Sequence, residues 1–198
     1  MDVDFRSDLR PPKWAMTIAG AIALLAATIL TIDKITLLQA KVDGTDKTLN
    51  CDISAWVSCS GVMESHQAAA FGFANSIIGI IGFAMVLAYG VALLAGVTLP
   101  RWMWAGLQIG VLFGVGFVTW LQSQSIYVIE LLCPWCMVVW VTMIALFVLV
   151  TAHNLRLFAP DVAITRFVSN WSVLIIALWY VAIMAAIWFQ FGPDRLFT

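Results

Sequence analysis

Repeated apolar runs, each about as long as a lipid bilayer is thick, restrict this chain more than any other feature. The first runs from Trp14 to about Leu38, and others lie at about Phe73–Val97, Trp102–Ile126, Cys133–Ala152 and Trp171–Phe191. A helix crossing the hydrocarbon core takes about 20 residues, because its N–H and C=O groups have no water to bond and must pair within the helix. Charge is as scarce as this requires: 11% of residues are charged and 63% hydrophobic, against about 25% charged in an ordinary soluble domain. The expectation is an all-α membrane protein with five spans, forming a single integral membrane domain over residues 1–198. The first run is too long for the core of a signal peptide and no small-residue cleavage site follows it, so it is expected to remain as a helix. A formal net charge of −1 offers no basic field for nucleic acid, which is excluded as a partner.

Punctuation separates the runs: Pro100-Arg101, the polar stretch Gln122 to Ser125, and a connector from Arg156 to Arg166. Gly106, Gly110 and Gly114 recur every four residues in the third span, and Gly72, Ser76 and Gly79 mark the second. Small residues at such spacing let helix backbones approach closely, and packing alone accounts for them.

Lys and Arg are retained on the cytoplasmic side of a membrane. With the N-terminus cytoplasmic, Arg6, Arg10, Lys13, Arg101, Arg156 and Arg166 lie inside, leaving Lys41, Lys47 and Arg195 outside and Lys34 near the outer end of the first span. Residues 41 to about 70 then form one long extracytoplasmic loop. All four cysteines, Cys51, Cys59, Cys133 and Cys136, fall on that side, where disulfides persist.

Cys133-Pro134-Trp135-Cys136 is a C-x-x-C pair opening a helix. Thiols three residues apart share a helical face and are able to close a disulfide, while the helix N-terminus stabilises a thiolate. Proline suits the first turn, where its missing N–H costs nothing. The alternatives are zinc ligation, for which His66 is the only histidine on that side, and a structural bridge, which within C-x-x-C is strained and easily reduced. Cys51 and Cys59 are spaced too widely for a redox turn, and alone they read as a stabilising disulfide. Beside a second pair at the same membrane face, a relay is the better account: a mobile loop dithiol meets a soluble protein and returns its electrons to a pair at the lipid edge. Asp52, Glu64 and His66 are titratable nearby, but a solvated loop face explains them.

These residues resemble the vitamin K epoxide reductase family. The likeness rests on Cys51-Asp52 followed by Cys59-Ser60, on Ser65, on Asn75-Ser76-Ile77 opening the second span and on the C-x-x-C opening the fourth, over roughly residues 14–152. Another quinone-linked oxidase family carries the two kinds of pair in the reverse order. The resemblance implies a catalytic four-transmembrane-helix bundle around a quinone, menaquinone or ubiquinone, with a fifth helix added at about 171–191. It implies Cys136 nearest the quinone, Cys133 exchanging with Cys59, and Cys51 facing the partner. Asn75 matches a donor to the quinone carbonyl, and Ser65 belongs to the same pocket. Where an animal enzyme has tyrosine four positions after the last cysteine, this chain has Trp140, whose indole offers a donor or a stacking surface.

Bacterial members oxidise a thioredoxin-like protein that makes disulfides in exported proteins, while animal members reduce vitamin K epoxide and quinone. Many bacterial members carry a fused thioredoxin domain. Here few residues follow the fifth span, and a separate thioredoxin-fold partner in the extracytoplasmic space of a bacterial inner membrane is expected. The alternatives are an epoxide reductase using the same relay, and a non-enzymatic membrane scaffold with two static disulfides.

Overall fold

The computed structural model describes residues 11–45 and 48–196, with side chains through residue 192. Arg6, Arg10 and Lys47 of the charge argument lie outside the described residues, as does the side chain of Arg195. The chain runs α1 (Lys13–Val42), α2 (Cys59–Glu64), a 3-10 turn (His66–Ala69), α3 (Asn75–Leu94), α4 (Arg101–Gln124), a π turn (Ser125–Ile129), α5 (Pro134–Phe158), α6 (Ala163–Asn170) and α7 (Ser172–Leu196). No strand is present among the described residues. Five helical stretches are long and apolar enough to cross a membrane, with α4 and its π turn forming one. The protein is a multi-pass, all-α membrane protein.

Helix α1 packs against α3 and α5, and α4 packs against α5, so the ring of four is open between α3 and α4. Met16, Ala23 and Ala27 of α1, Phe83 and Val86 of α3, Val111 and Val115 of α4, and Trp140 and Leu146 of α5 fill its centre. In α7, by contrast, Val173, Leu178, Val181 and Met184 are exposed to lipid, and the helix lies outside the ring against α5.

The small residues meet the expectation in part: a Cβ on Gly79 would stand 3.2 Å from the Ala27 Cβ and one on Gly114 3.0 Å from the Met143 side chain, both of them packing contacts between helices. The closest backbone approach joins α1 to α3. A Cβ on Gly20 would stand 2.9 Å from the Leu87 nitrogen, and one on Gly90 would stand 2.7 Å from the Thr17 nitrogen. At Gly106 and Gly110 a Cβ would meet nothing within 4 Å, and these glycines line a cavity instead of a helix contact. Gly72 precedes α3 with a φ of +84°, so it is a turn residue and not part of the α3 face.

Two boundaries also differ. Gln122 to Ser125 do not end the third span: Gln122 and Ser125 are buried, and the helix continues through the π turn to Ile129. The break falls at Glu130, whose φ of 55° reverses the chain toward Cys133. The connector after α5 is largely helical, with α6 inside it.

Gly90→Leu should therefore separate α1 from α3 at a cost of about 1–3 kcal/mol, whereas Gly106→Ala should cause no loss. Thermal unfolding in detergent would register the difference.

Candidate functional site

Short-range order surrounds the first cysteine pair. Asp52 accepts hydrogen bonds from Leu49 N at 2.8 Å, Ser58 Oγ at 2.8 Å, Ser60 N at 3.0 Å and Ser60 Oγ at 2.8 Å. Partial burial pushes the Asp52 carboxyl up, but the Ser60 and Leu49 amides and the Ser60 and Ser58 hydroxyls outweigh it and hold the pKa at about 2. Asp52 thus remains an acceptor throughout the neutral range. Ser58 is also the N-cap of α2, accepting from Gly61 N at 3.1 Å. Lys34 Nζ donates to Met63 O at 2.5 Å near the other end of that helix, where a cation suits the carbonyl end. Lys41 pairs with Glu64 at 3.0 Å.

The segment is therefore laced down and differs from the mobile loop expected. Cys51 is 8% exposed and Cys59 fully buried, and a disulfide joins them. What sequence reading missed is the role of Asp52, which organises the loop and is not simply part of a solvated face. The signal was present in the two serines flanking Cys59, at a reach that one aspartate can span.

A parallel bridge between Val57 and Leu132 brings the second pair alongside. Ser58 N donates to Leu132 O at 2.9 Å and Leu132 N donates to Trp56 O at 2.8 Å. The residues next in the chain after these contacts are Cys59 and Cys133, and Cys133 Sγ lies 3.4 Å from Cys59 Sγ. Cys133 is the N-cap of α5 and Pro134 its first residue. A hydrogen bond from the Cys136 thiol, helped by the Cys136 and Trp135 amides, lowers the Cys133 thiol below its ordinary value despite burial. That is the condition for a ready nucleophile or leaving group. Cys133 and Cys136 are both free thiols.

Cys136 lines a cavity of about 470 Å³ between the four helices. Trp140, Asn75 and Ser65 line it too, as do the uncrowded Gly106 and Gly110 on the side where α3 and α4 stand apart. Trp140 is 4% exposed. Asn75 Oδ1 accepts from Ala70 N at 3.1 Å and Nδ2 donates to Gln67 O at 2.6 Å, which uses one of the two amide hydrogens. Ser65 Oγ donates to Val62 O at 2.7 Å. The structure thus brings all seven residues singled out from sequence to one end of the bundle: two cysteines in a disulfide, Cys133 against it, and the other four around the cavity. Among the described residues, no group of three or more His, Cys, Asp or Glu is clustered to hold a metal.

The cavity suits a quinone: apolar walls, few polar groups, a volume within the usual ligand range of about 300–1,000 Å³, and glycines leaving room toward lipid. A disulfide in contact with a dithiol, one thiol of which opens on an apolar cavity inside a membrane bundle, defines a membrane thiol oxidoreductase. Residues 14–151 match the model of the vitamin K epoxide reductase family, and the chain belongs to that family. It is in general terms a quinone-linked thiol oxidoreductase. No individual curated protein matches the chain.

The sulfur geometry carries a direct prediction. In Cys136→Ala the thiol that could compete for Cys133 is gone, so a Cys59–Cys133 disulfide should accumulate at the expense of Cys51–Cys59. Peptide mapping that finds Cys51 bonded to Cys133 instead would reverse the roles of Cys51 and Cys59.

Proposed function

We propose that the chain oxidises the dithiol of a thioredoxin-fold protein on the extracytoplasmic side of a bacterial inner membrane, passes the electrons to menaquinone or ubiquinone, and so drives disulfide formation in exported proteins. The observation carrying this reading is the 3.4 Å contact between Cys59 and Cys133, which makes two cysteine pairs into one path.

A partner thiolate attacks Cys51, and the partner's second thiol resolves the mixed disulfide, leaving Cys51 and Cys59 reduced and the partner oxidised. Cys59 attacks Cys133 of an oxidised Cys133–Cys136 pair and releases the Cys136 thiolate. Cys51 then attacks Cys59, re-forming the Cys51–Cys59 bond and releasing the Cys133 thiolate, the better leaving group for its lowered pKa. Two electrons now reside on Cys133 and Cys136, the arrangement of bonds described above. Quinone, the co-substrate, takes those electrons and two protons to become quinol, and the C-x-x-C disulfide returns.

In this reading Cys136 faces the ring, Trp140 supplies a stacking wall, and Asn75 donates its remaining amide hydrogen to a quinone carbonyl. Ser65 fixes the rim of the pocket by capping Val62. Charge supports the sidedness: Arg101 and Arg156 lie at the ends of α4 and α5 remote from the sulfurs, and Arg166 lies in α6, which follows that end of α5, as expected of a cytoplasmic face.

A lost hydrogen bond in a buried pocket costs about 1–3 kcal/mol, or roughly tenfold to a hundredfold in affinity. Asn75→Ala should therefore raise the quinone KM by that factor while thiol exchange with the partner continues nearly unchanged. Equal slowing of both half-reactions at an unaltered quinone KM would make Asn75 only the clamp of the Gln67–Ala70 turn.

A further inference from the structure

Helix α7 lies beyond the residues that match the family, 14–151, and most of its length faces lipid. Its outer end is different. Phe191 is 1% exposed and Ile187 is 4% exposed, although Phe189 between them is 86% exposed. The Phe191 ring meets Trp56 edge to face, centroids 6.2 Å apart at 68°. Its neighbour Gln190 donates from Nε2 to Glu130 Oε1 at 3.3 Å. The helical backbone is then interrupted at Gly192, φ 63°.

These contacts select the two segments that form the sulfur junction. Trp56 supplies the carbonyl that accepts from Leu132 N, and it stands directly before the bridge residue Val57. Glu130 is the reversal that turns the chain from the π turn toward Leu132 and Cys133. Two consecutive residues of α7 therefore reach one segment each.

We propose that the outer end of α7 is a brace on this junction, with Phe191 and Gln190 as positioning residues for exchange between Cys59 and Cys133. The proposal rests on the relay reading above. Exchange needs sulfurs in near-attack geometry, and a misplacement of about 1 Å costs on the order of a hundredfold. Anchoring both segments to one rigid helix fixes their separation, which two backbone hydrogen bonds alone leave open to fraying. Midway along the same helix, Tyr180 donates to Val141 O at 2.7 Å; this contact holds α7 to α5 without touching the junction.

The test uses the full chain carrying Cys136→Ala, in which Cys51–Cys59 and Cys59–Cys133 interconvert with no external oxidant or reductant. Their ratio, read by acid quenching and peptide mapping, measures how closely Cys133 is presented to Cys59. Adding Phe191→Ala should lower the share of Cys59–Cys133 about tenfold, and Gln190→Ala should lower it less. Phe191→Leu, which refills most of the space, should stay within about threefold, and Tyr180→Phe should leave the ratio unchanged. An unchanged ratio in Phe191→Ala, or an equal fall in Tyr180→Phe, would overturn the brace while leaving the relay intact. Absence of Cys59–Cys133 from the Cys136→Ala chain with native α7 would overturn the relay and the brace with it.

Discussion

The parallel bridge between Val57 and Leu132 ties the segment entering Cys59 to the segment entering Cys133, and the rest of the site is placed relative to it. Its two hydrogen bonds, 2.9 and 2.8 Å, lie outside the spanning helices, where backbone groups without a helical partner need another one. Satisfying Ser58 N, Leu132 N and two carbonyls between the same segments is at once a requirement of burial and the means of setting one sulfur 3.4 Å from another.

Asp52 and the helix ends supply the second level of order. A carboxylate collecting four hydrogen bonds holds Leu49, Ser58 and Ser60 around the Cys51–Cys59 bond. The α5 N-terminus then presents its pair in two different settings. Cys133 is buried against the loop disulfide, and Cys136, one turn on, opens on the cavity. In the proposed relay, that single turn of helix separates the site of thiol exchange from the site of the lipid-soluble acceptor.

Much of this was legible in the sequence because hydropathy and cysteine spacing are strong local signals. Five spans, the C-x-x-C at a helix start with proline in its first turn, and the shared end of all four cysteines followed from them. What was not legible depends on contacts distant in sequence. Glycine spacing in α4 reads the same whether a neighbouring helix or a cavity lies opposite, so it does not separate Gly106 and Gly110, which face open space, from Gly114, which meets Met143. Gln122 to Ser125 read as a loop because their polarity is buried by tertiary contacts. The bridge between positions 57 and 132, and the reach of Phe191 to Trp56, join segments with no pattern of their own. Asp52 is intermediate: its partners are nearby in sequence, but only the folded loop turns them toward one carboxylate.

The central claim is that electrons from an external dithiol reach quinone only through both cysteine pairs in series. Its most direct measurement is an anaerobic single turnover, mixing fully oxidised protein in quinone-containing nanodiscs with reduced thioredoxin and following quinone absorbance while acid-quenched samples report the state of each pair. The account predicts reduction of the Cys51–Cys59 bond first, of Cys133–Cys136 next, and one quinol for each thioredoxin disulfide formed. Quinol appearing at an undiminished rate in a chain with Cys51 and Cys59 replaced by alanine, or thioredoxin oxidised with no quinol formed, would contradict it.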